Sequence, residues 1–170
     1  MLLLLALPLR AEESACFTPR QVAAEQLLRL QSELMVIGLS CRQTSQGHQL
    51  IPIYQKFSKR FSSSIRDAES ELSTYFENQG QNPESKLDKF RTEVANTFAQ
   101  QVASDTLPIY CRQQQLRLLE AAQWTPARIR KELGFMATRY GTMQPSCEPL
   151  GASSWTNPIH RGAQAFPVQR

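Results

Sequence analysis

Apolar residues recur at intervals of three and four along most of the chain, which is the spacing of one face of an α-helix. The first such run follows Thr18 and Pro19, a capping hydroxyl and a proline at the first helical position, and Gln21 completes a capping box. Its apolar positions are Ala23, Leu27, Leu30, Leu34, Ile37 and Cys41. The pattern predicts a helix that ends near Cys41, before a polar loop over residues 42–49.

The second run is the longest, and it predicts a single helix from about Pro52 to Gly80. Its apolar positions are Tyr54, Phe57, Phe61, Ile65, Ala68, Leu72 and Tyr75, with Phe76 beside them. No segment alternates with a period of two, so we expect no sheet.

Three shorter helices are predicted further along the chain. The third starts at Asn82-Pro83 and the fifth at Thr125-Pro126, both of which pair a cap with a proline, while the fourth covers Pro108 to Gln123. Their apolar positions are Leu87, Phe90, Val94, Phe98 and Val102, then Cys111, Leu118 and Ala122, and finally Ile129, Leu133 and Met136.

The connections between these helices are short, which favours antiparallel neighbours. The predicted fold is therefore an all-α, disulfide-stapled up-down bundle of four to five helices over residues 16–140. Periodicity ends at Gly141. Residues 141–170 are rich in glycine, proline, serine and asparagine, and we expect them to form an irregular tail.

The chain begins with an apolar stretch typical of a secretory signal peptide. The eight apolar residues at positions 2–9 match the length of such a segment, whereas crossing a bilayer takes about 20. We therefore expect residues 1–15 to be a signal peptide, cleaved after Ala11 or Ala15, and the protein to be periplasmic or secreted. The usual basic start is missing, so the alternatives are an upstream start or a buried N-terminal strand or helix.

A further N-terminal possibility is lipidation of Cys16. Small residues at Ser14 and Ala15 precede this cysteine as in a lipoprotein signal, but Glu13 stands where an aliphatic residue is usual. Contact with a membrane is expected only if Cys16 carries a lipid.

The four cysteines indicate disulfides rather than a metal site. They are Cys16, Cys41, Cys111 and Cys147. None forms a C-x-x-C motif, and neither histidine lies at ligand spacing from any of them. Behind an export signal, an even number predicts two disulfides formed in an oxidising compartment. Without export, the alternative is four buried thiols in a cytosolic protein.

Helix geometry narrows the three possible pairings. A continuous first helix separates Cys16 from Cys41 by about 35 Å, whereas the Cα atoms of bridged cysteines lie within about 7 Å. On an up-down path the fourth helix leaves the end of the bundle where Cys41 lies, which predicts Cys41–Cys111 and, by default, Cys16–Cys147. The remaining pairing, Cys16–Cys111 with Cys41–Cys147, requires a different helix order.

Charge and motifs point away from nucleic-acid binding and from known catalytic sites. The net charge is +4, and Lys and Arg are spread along the chain, which falls short of a dense basic face. Patterns for a nucleophile elbow, a P-loop, a zincin or a dinucleotide site do not occur. His48 and His160 lie in a polar loop and in the tail, where a solvated histidine is expected. We therefore predict no enzyme, no cofactor and no metal.

Two groups of residues are candidate binding sites. A basic cluster on the fifth helix and a tail aromatic are candidates for contact with a protein partner, with a solvated surface as the alternative. These residues are Arg128, Arg130, Lys131 and Trp155. The aromatic stripe of the second helix is a candidate apolar pocket, with ordinary core packing as the alternative. These residues are Tyr54, Phe57, Phe61 and Phe76.

The chain also carries a set of loosely spaced motifs. They are Ala15-Cys16-x-x-Pro19, Leu30-Gln31-x-x-Leu34-Met35-Val36, Cys41, Tyr54-x-x-Phe57 and Tyr110-Cys111. With these motifs, residues 15–115 resemble a group of small exported bacterial helical proteins without assigned activity. The resemblance implies export, helices and disulfides, and it carries over no catalytic residue.

The leading hypothesis is a non-enzymatic exported protein that binds another envelope or secreted protein, as an adaptor, an assembly component or an inhibitor. A carrier of an apolar ligand within the bundle is the second hypothesis, and an enzyme of unrecognised type is the third.

Overall fold

Six α-helices follow one another in the part of the chain that the structure describes, and they form the all-α bundle that the periodicity predicts. The computed structural model describes residues 16–44, 49–104 and 106–150. The helices are α1 (Pro19–Ser40), α2 (Leu50–Arg60), α3 (Ser62–Asn78), α4 (Pro83–Ser104), α5 (Leu107–Ala121) and α6 (Pro126–Tyr140). A short 3₁₀ turn, Cys41–Gln43, follows α1. None of these six helices is both long and apolar enough to cross a membrane.

Helix α1 lies at the centre of the bundle and contacts each of the other five helices. Its buried residues occupy every side of the helix, and Val22, Leu28 and Ile37 are at most 1% exposed. A helix whose residues are buried on every side has to be enclosed by other elements. Its start is fixed as predicted, because the Gln21 N–H donates to the Thr18 hydroxyl and the Thr18 N–H donates to the Gln21 side chain.

The predicted second helix is divided at Phe61 into α2 and α3, so the expected number of four to five helices is too low. Phe61 has φ −104° and ψ 17°, away from helical values. Residues 62–64 are three serines, whose side chains compete for the backbone hydrogen bonds of a helix. Hydrogen bonds from Phe61 N–H to the Phe57 carbonyl and from Ile65 N–H to the Phe61 carbonyl still cross the break. The buried face therefore continues from α2 into α3.

Both predicted disulfides are present. Cys41 pairs with Cys111 at a Cα separation of 5.5 Å, and Cys16 pairs with Cys147 at 5.1 Å. The first joins the end of α1 to the first turns of α5, as the up-down path requires. The other pairings and the four free thiols are therefore wrong for this structure. A Cys16 thiol bonded to Cys147 is not available for lipidation, so these two states of Cys16 are alternatives.

The C-terminal segment, residues 141–150, is irregular as predicted, and it is fixed against the start of the chain. Phe17 forms a single-residue parallel bridge to Ser146. Its N–H donates to the carbonyl before Ser146 (2.7 Å), and its own carbonyl accepts from the Cys147 N–H (2.8 Å). The Phe17 ring is fully buried, 4.7 Å from the Tyr75 ring between centroids.

The predictions for the signal peptide (residues 1–15), His48, Trp155 and His160 lie outside the described residues.

Candidate functional site

An open apolar groove lies between the C-terminal half of α1 and the start of α2. We call it the α1–α2 groove, and its lining residues are Met35, Gly38, Leu39, Ile51, Tyr54 and Gln55. Its volume is about 260 Å³. The two helices approach closely at Gly38, where an added Cβ would lie 3.6 Å from the Tyr54 Cβ and 3.7 Å from the Leu50 carbonyl oxygen. The missing side chain of Gly38 therefore leaves space at the floor of the groove.

The side chains that line this groove are exposed or half-buried, although the hydrophobic core beside them is fully buried. Leu39 is 48% exposed, whereas Ile37 and Cys41 on either side of it in the sequence are fully buried. Tyr54 and Ile51 are half-buried on α2. Gln55 is the one polar side chain in the lining. The α1–α2 groove thus offers a concave apolar surface of the kind that receives side chains of a partner.

The segment that forms the groove is basic. Residues 34–66 contain no Asp or Glu and five Lys or Arg. Arg42, Lys56 and Lys59 are exposed, and no ion pair joins any of them to another side chain within the described ranges. The even spread of Lys and Arg along the chain hides this feature, because the asymmetry lies in the distribution of the acidic residues.

The three residues of the basic cluster predicted on α6 differ in their contacts. Arg128 lies 3.9 Å from Glu132, and its guanidinium carbon is 5.6 Å from the centroid of the Trp124 ring. Arg130 is half-buried and lines a small interior cavity, while Lys131 is exposed. The three side chains therefore have different surroundings, and a docking site on α6 stays a prediction.

The four aromatic residues predicted to form an apolar pocket do not surround one cavity. Phe57, Phe61 and Phe76 belong to the closed core, and the Phe57 and Phe61 rings pack at 5.0 Å between centroids. Tyr54 instead lines the α1–α2 groove. Phe61 also borders the interior cavity, whose volume of about 30 Å³ has room for only one or two water molecules. Core packing, the alternative interpretation, describes three of the four residues.

A buried ion-pair network links α1 to α5 and α6, and sequence analysis missed it. Arg117 donates to both carboxylate oxygens of Glu33 (2.7 and 3.0 Å) and to Glu132 (2.8 Å). Two turns earlier on α1, the Glu25 carboxylate accepts a hydrogen bond from Arg29 (2.9 Å). Glu25, Arg29 and Glu33 are spaced by four on a helix that is otherwise largely apolar. That stripe of charges was the available signal.

Burial governs the electrostatics of this network. Desolvation raises the pKa of Glu25 above its ordinary value, and the hydrogen bonds from Arg29 and from the Met143 N–H only partly oppose this effect. Burial alone would lower the pKa of Arg117, but the carboxylates of Glu33 and Glu132 outweigh it and raise that pKa.

The buried carboxylates are fully engaged in holding elements together. Both oxygens of Glu25 accept hydrogen bonds, one from Arg29 and one from the Met143 N–H (3.0 Å). Gln26 donates to the Gly141 carbonyl (2.9 Å), so adjacent residues of α1 hold the C-terminal segment. Glu25 and Gln26 are completely buried. Both side chains therefore contact other parts of the fold rather than solvent.

Among the described residues, no group of three or more His, Cys, Asp or Glu side chains is arranged to hold a metal ion.

Comparison with known proteins finds no relative of this chain. No family model matches the chain, and neither the curated proteins nor the solved structures contain a significant match.

Proposed function

We propose that this is a non-enzymatic exported protein that acts by binding another protein in the α1–α2 groove. The observation that carries the proposal is the apolar lining of that open groove, in which Leu39 is exposed and Met35, Ile51 and Tyr54 are half-buried. Contiguous exposed apolar surface mixed with polar surroundings is typical of interaction sites. Here the apolar surface lies next to a well-packed core, so loose packing of the core does not explain it.

Export is supported by the two disulfides and by the apolar start of the chain. Both disulfides link cysteines far apart in sequence, with separations of 131 and 70 residues. Structural disulfides of this kind form and persist in oxidising compartments. The apolar residues 2–9 and the resemblance to exported helical proteins point in the same direction.

A role as a carrier of an apolar ligand has less support. Small-molecule sites usually occupy about 300–1,000 Å³. The interior cavity next to Phe61 holds about 30 Å³, and the larger space is the open groove, which encloses little.

Site-specific photocrosslinking in the native cells tests the proposal. A photoreactive amino acid replaces Leu39 in the groove, and in a matched control it replaces Leu116, which is 58% exposed on α5. We expect a discrete crosslinked protein adduct in the exported fraction from position 39 and none from position 116. Absence of an adduct at position 39, or the same adducts at both positions, would contradict the proposal.

A further inference from the structure

We propose that the partner of the α1–α2 groove presents an amphipathic segment whose apolar anchor residue is flanked by acidic side chains. This inference rests on the proposed function and adds the chemistry of the partner.

The first argument is the location of the positive charge. Residues 34–66 hold five of the 19 basic residues and none of the 15 acidic ones. The rest of the chain has 14 basic and 15 acidic residues, so the whole positive excess lies in the segment that forms the groove. Arg60 is used internally, since it donates to the Ala122 carbonyl (3.3 Å) and lies against the Phe61 ring. Arg66 lies on α3, after the break at Phe61. Arg42, Lys56 and Lys59, which follow the lining residues along α1 and α2, remain for a partner.

The second argument is where these charges lie relative to the apolar lining. Arg42 follows Leu39 by three residues, just beyond the end of α1. Lys59 follows Gln55 by four residues, one helical turn further along α2. Lys56 is next to Gln55 on the outer side of α2. Exposed positive charges therefore follow the lining residues on both α1 and α2, and acidic residues beside a partner's apolar anchor would be attracted to them. Complementary charge of this kind steers association and fixes register.

Charge also argues against occupants from this chain. The tail, residues 151–170, contains Arg161 and Arg170 and no acidic residue, so the basic surroundings of the groove would repel it. A symmetric dimer through the groove would place the basic surface of one copy against that of the other.

An anionic membrane is also a poor fit for the groove, because surface-binding helices present an outward apolar face. The exposed positions of α2 are instead mostly polar or charged, since Gln55, Lys56, Lys59 and Arg60 are exposed and Pro52 is the one exception.

The test uses the oxidised full chain and two fluorescent synthetic helical peptides. Both have one central leucine, which is flanked by glutamates in the first peptide and by lysines in the second. Fluorescence anisotropy measures binding at about 0.05 M and about 0.5 M salt. We expect the acidic peptide to bind at low salt, to weaken at high salt, and to bind at least about tenfold more tightly than the basic peptide. Equal binding of the two peptides, or no binding of either, would overturn the inference.

Variants assign the effect to the groove. The double substitution Lys56→Glu/Lys59→Glu should weaken the acidic peptide about tenfold or more. Its control, Lys86→Glu/Lys89→Glu, makes the same charge change at exposed positions of α4 and should change binding less than about twofold. Leu39→Ser should also weaken binding, whereas Leu116→Ser should not. Arg42→Glu gives a second charge variant if the double variant fails to fold.

Two controls separate the other occupants. Vesicles of phosphatidylglycerol and phosphatidylcholine in equal amounts test for a membrane, and light scattering tests for self-association. Vesicle binding that is lost in Lys56→Glu/Lys59→Glu without peptide binding, or a dimer that is lost in Leu39→Ser, would overturn the inference. If position 39 still crosslinks to a protein while the charge variants bind it normally, the acidic partner is wrong and the proposed function stands.

Discussion

Replacing Arg117 with methionine tests whether the buried ion pairs hold α1, α5 and α6 together. Methionine keeps a long apolar side chain but removes the cation that bridges Glu33 and Glu132. The side chains of Glu33 and Glu132 are only 7% and 11% exposed. Losing one partner of a buried pair costs about 3–5 kcal/mol, because the remaining charge is buried unpaired. The Arg117 side chain itself is 24% exposed, so we expect the lower end, about 3 kcal/mol.

Urea unfolding of the oxidised protein, followed by far-ultraviolet circular dichroism, measures this loss. At a slope of about 1–3 kcal/mol per molar urea, a loss of about 3 kcal/mol lowers the unfolding midpoint by about 1–3 M. Arg112→Met is the matched control, because Arg112 is exposed on the same helix. We expect its free energy of unfolding to stay within about 0.5 kcal/mol of the unmodified protein.

A second variant separates charge from packing. Adding Glu33→Gln and Glu132→Gln to Arg117→Met removes the unpaired carboxylates and should recover at least about half of the lost stability. A loss below about 1 kcal/mol in Arg117→Met would refute the reasoning about buried charge. A triple variant no more stable than the single one would show that the loss comes from packing.

Two other predictions concern α1. Because the pKa of Glu25 is raised in the folded state, this residue contributes stability at low pH that is lost as the pH rises above its ordinary value of 4.5. Glu25→Gln should remove that contribution, so urea midpoints of the two proteins should diverge between about pH 4 and about pH 7, and parallel profiles would contradict it. Gly38→Ala should raise the free energy of unfolding by about 0.5–1 kcal/mol, because alanine favours helix and its Cβ meets Tyr54 at an ordinary contact distance. A lower melting temperature for Gly38→Ala would show that the helix crossing has no room for a methyl group.

The helices and disulfides were predictable because their signals are local or geometric. The Thr18 capping box fixes the start of α1, and apolar spacing fixes which face of α3 is buried. Cys41–Cys111 followed from helix length and an up-down path alone. The break at Phe61 was missed because the apolar spacing continues through it, while the cause lies in three serines whose effect depends on competing hydrogen bonds.

The network and the groove were harder to predict, since both arise from how α1 is enclosed. A charge on a surface helix faces water, and only the contacts of α1 with all five other helices bury Glu25 and Glu33. Tyr54 continues the apolar spacing of Phe57 and Phe61, yet its side chain lines the open groove between α1 and α2. Periodicity identifies the inward side of a helix, but it does not show whether a neighbour covers that side.

The Cys16–Cys147 bridge has a consequence for how the molecule can be attached to anything else. It holds Cys16 and Cys147 5.1 Å apart, Cα to Cα, beside the start of α1. From Pro19, α1 rises about 28 Å to Gly38 at the floor of the groove. A label or linker attached to the fold beside this bridge would therefore leave the groove accessible at the opposite end of α1.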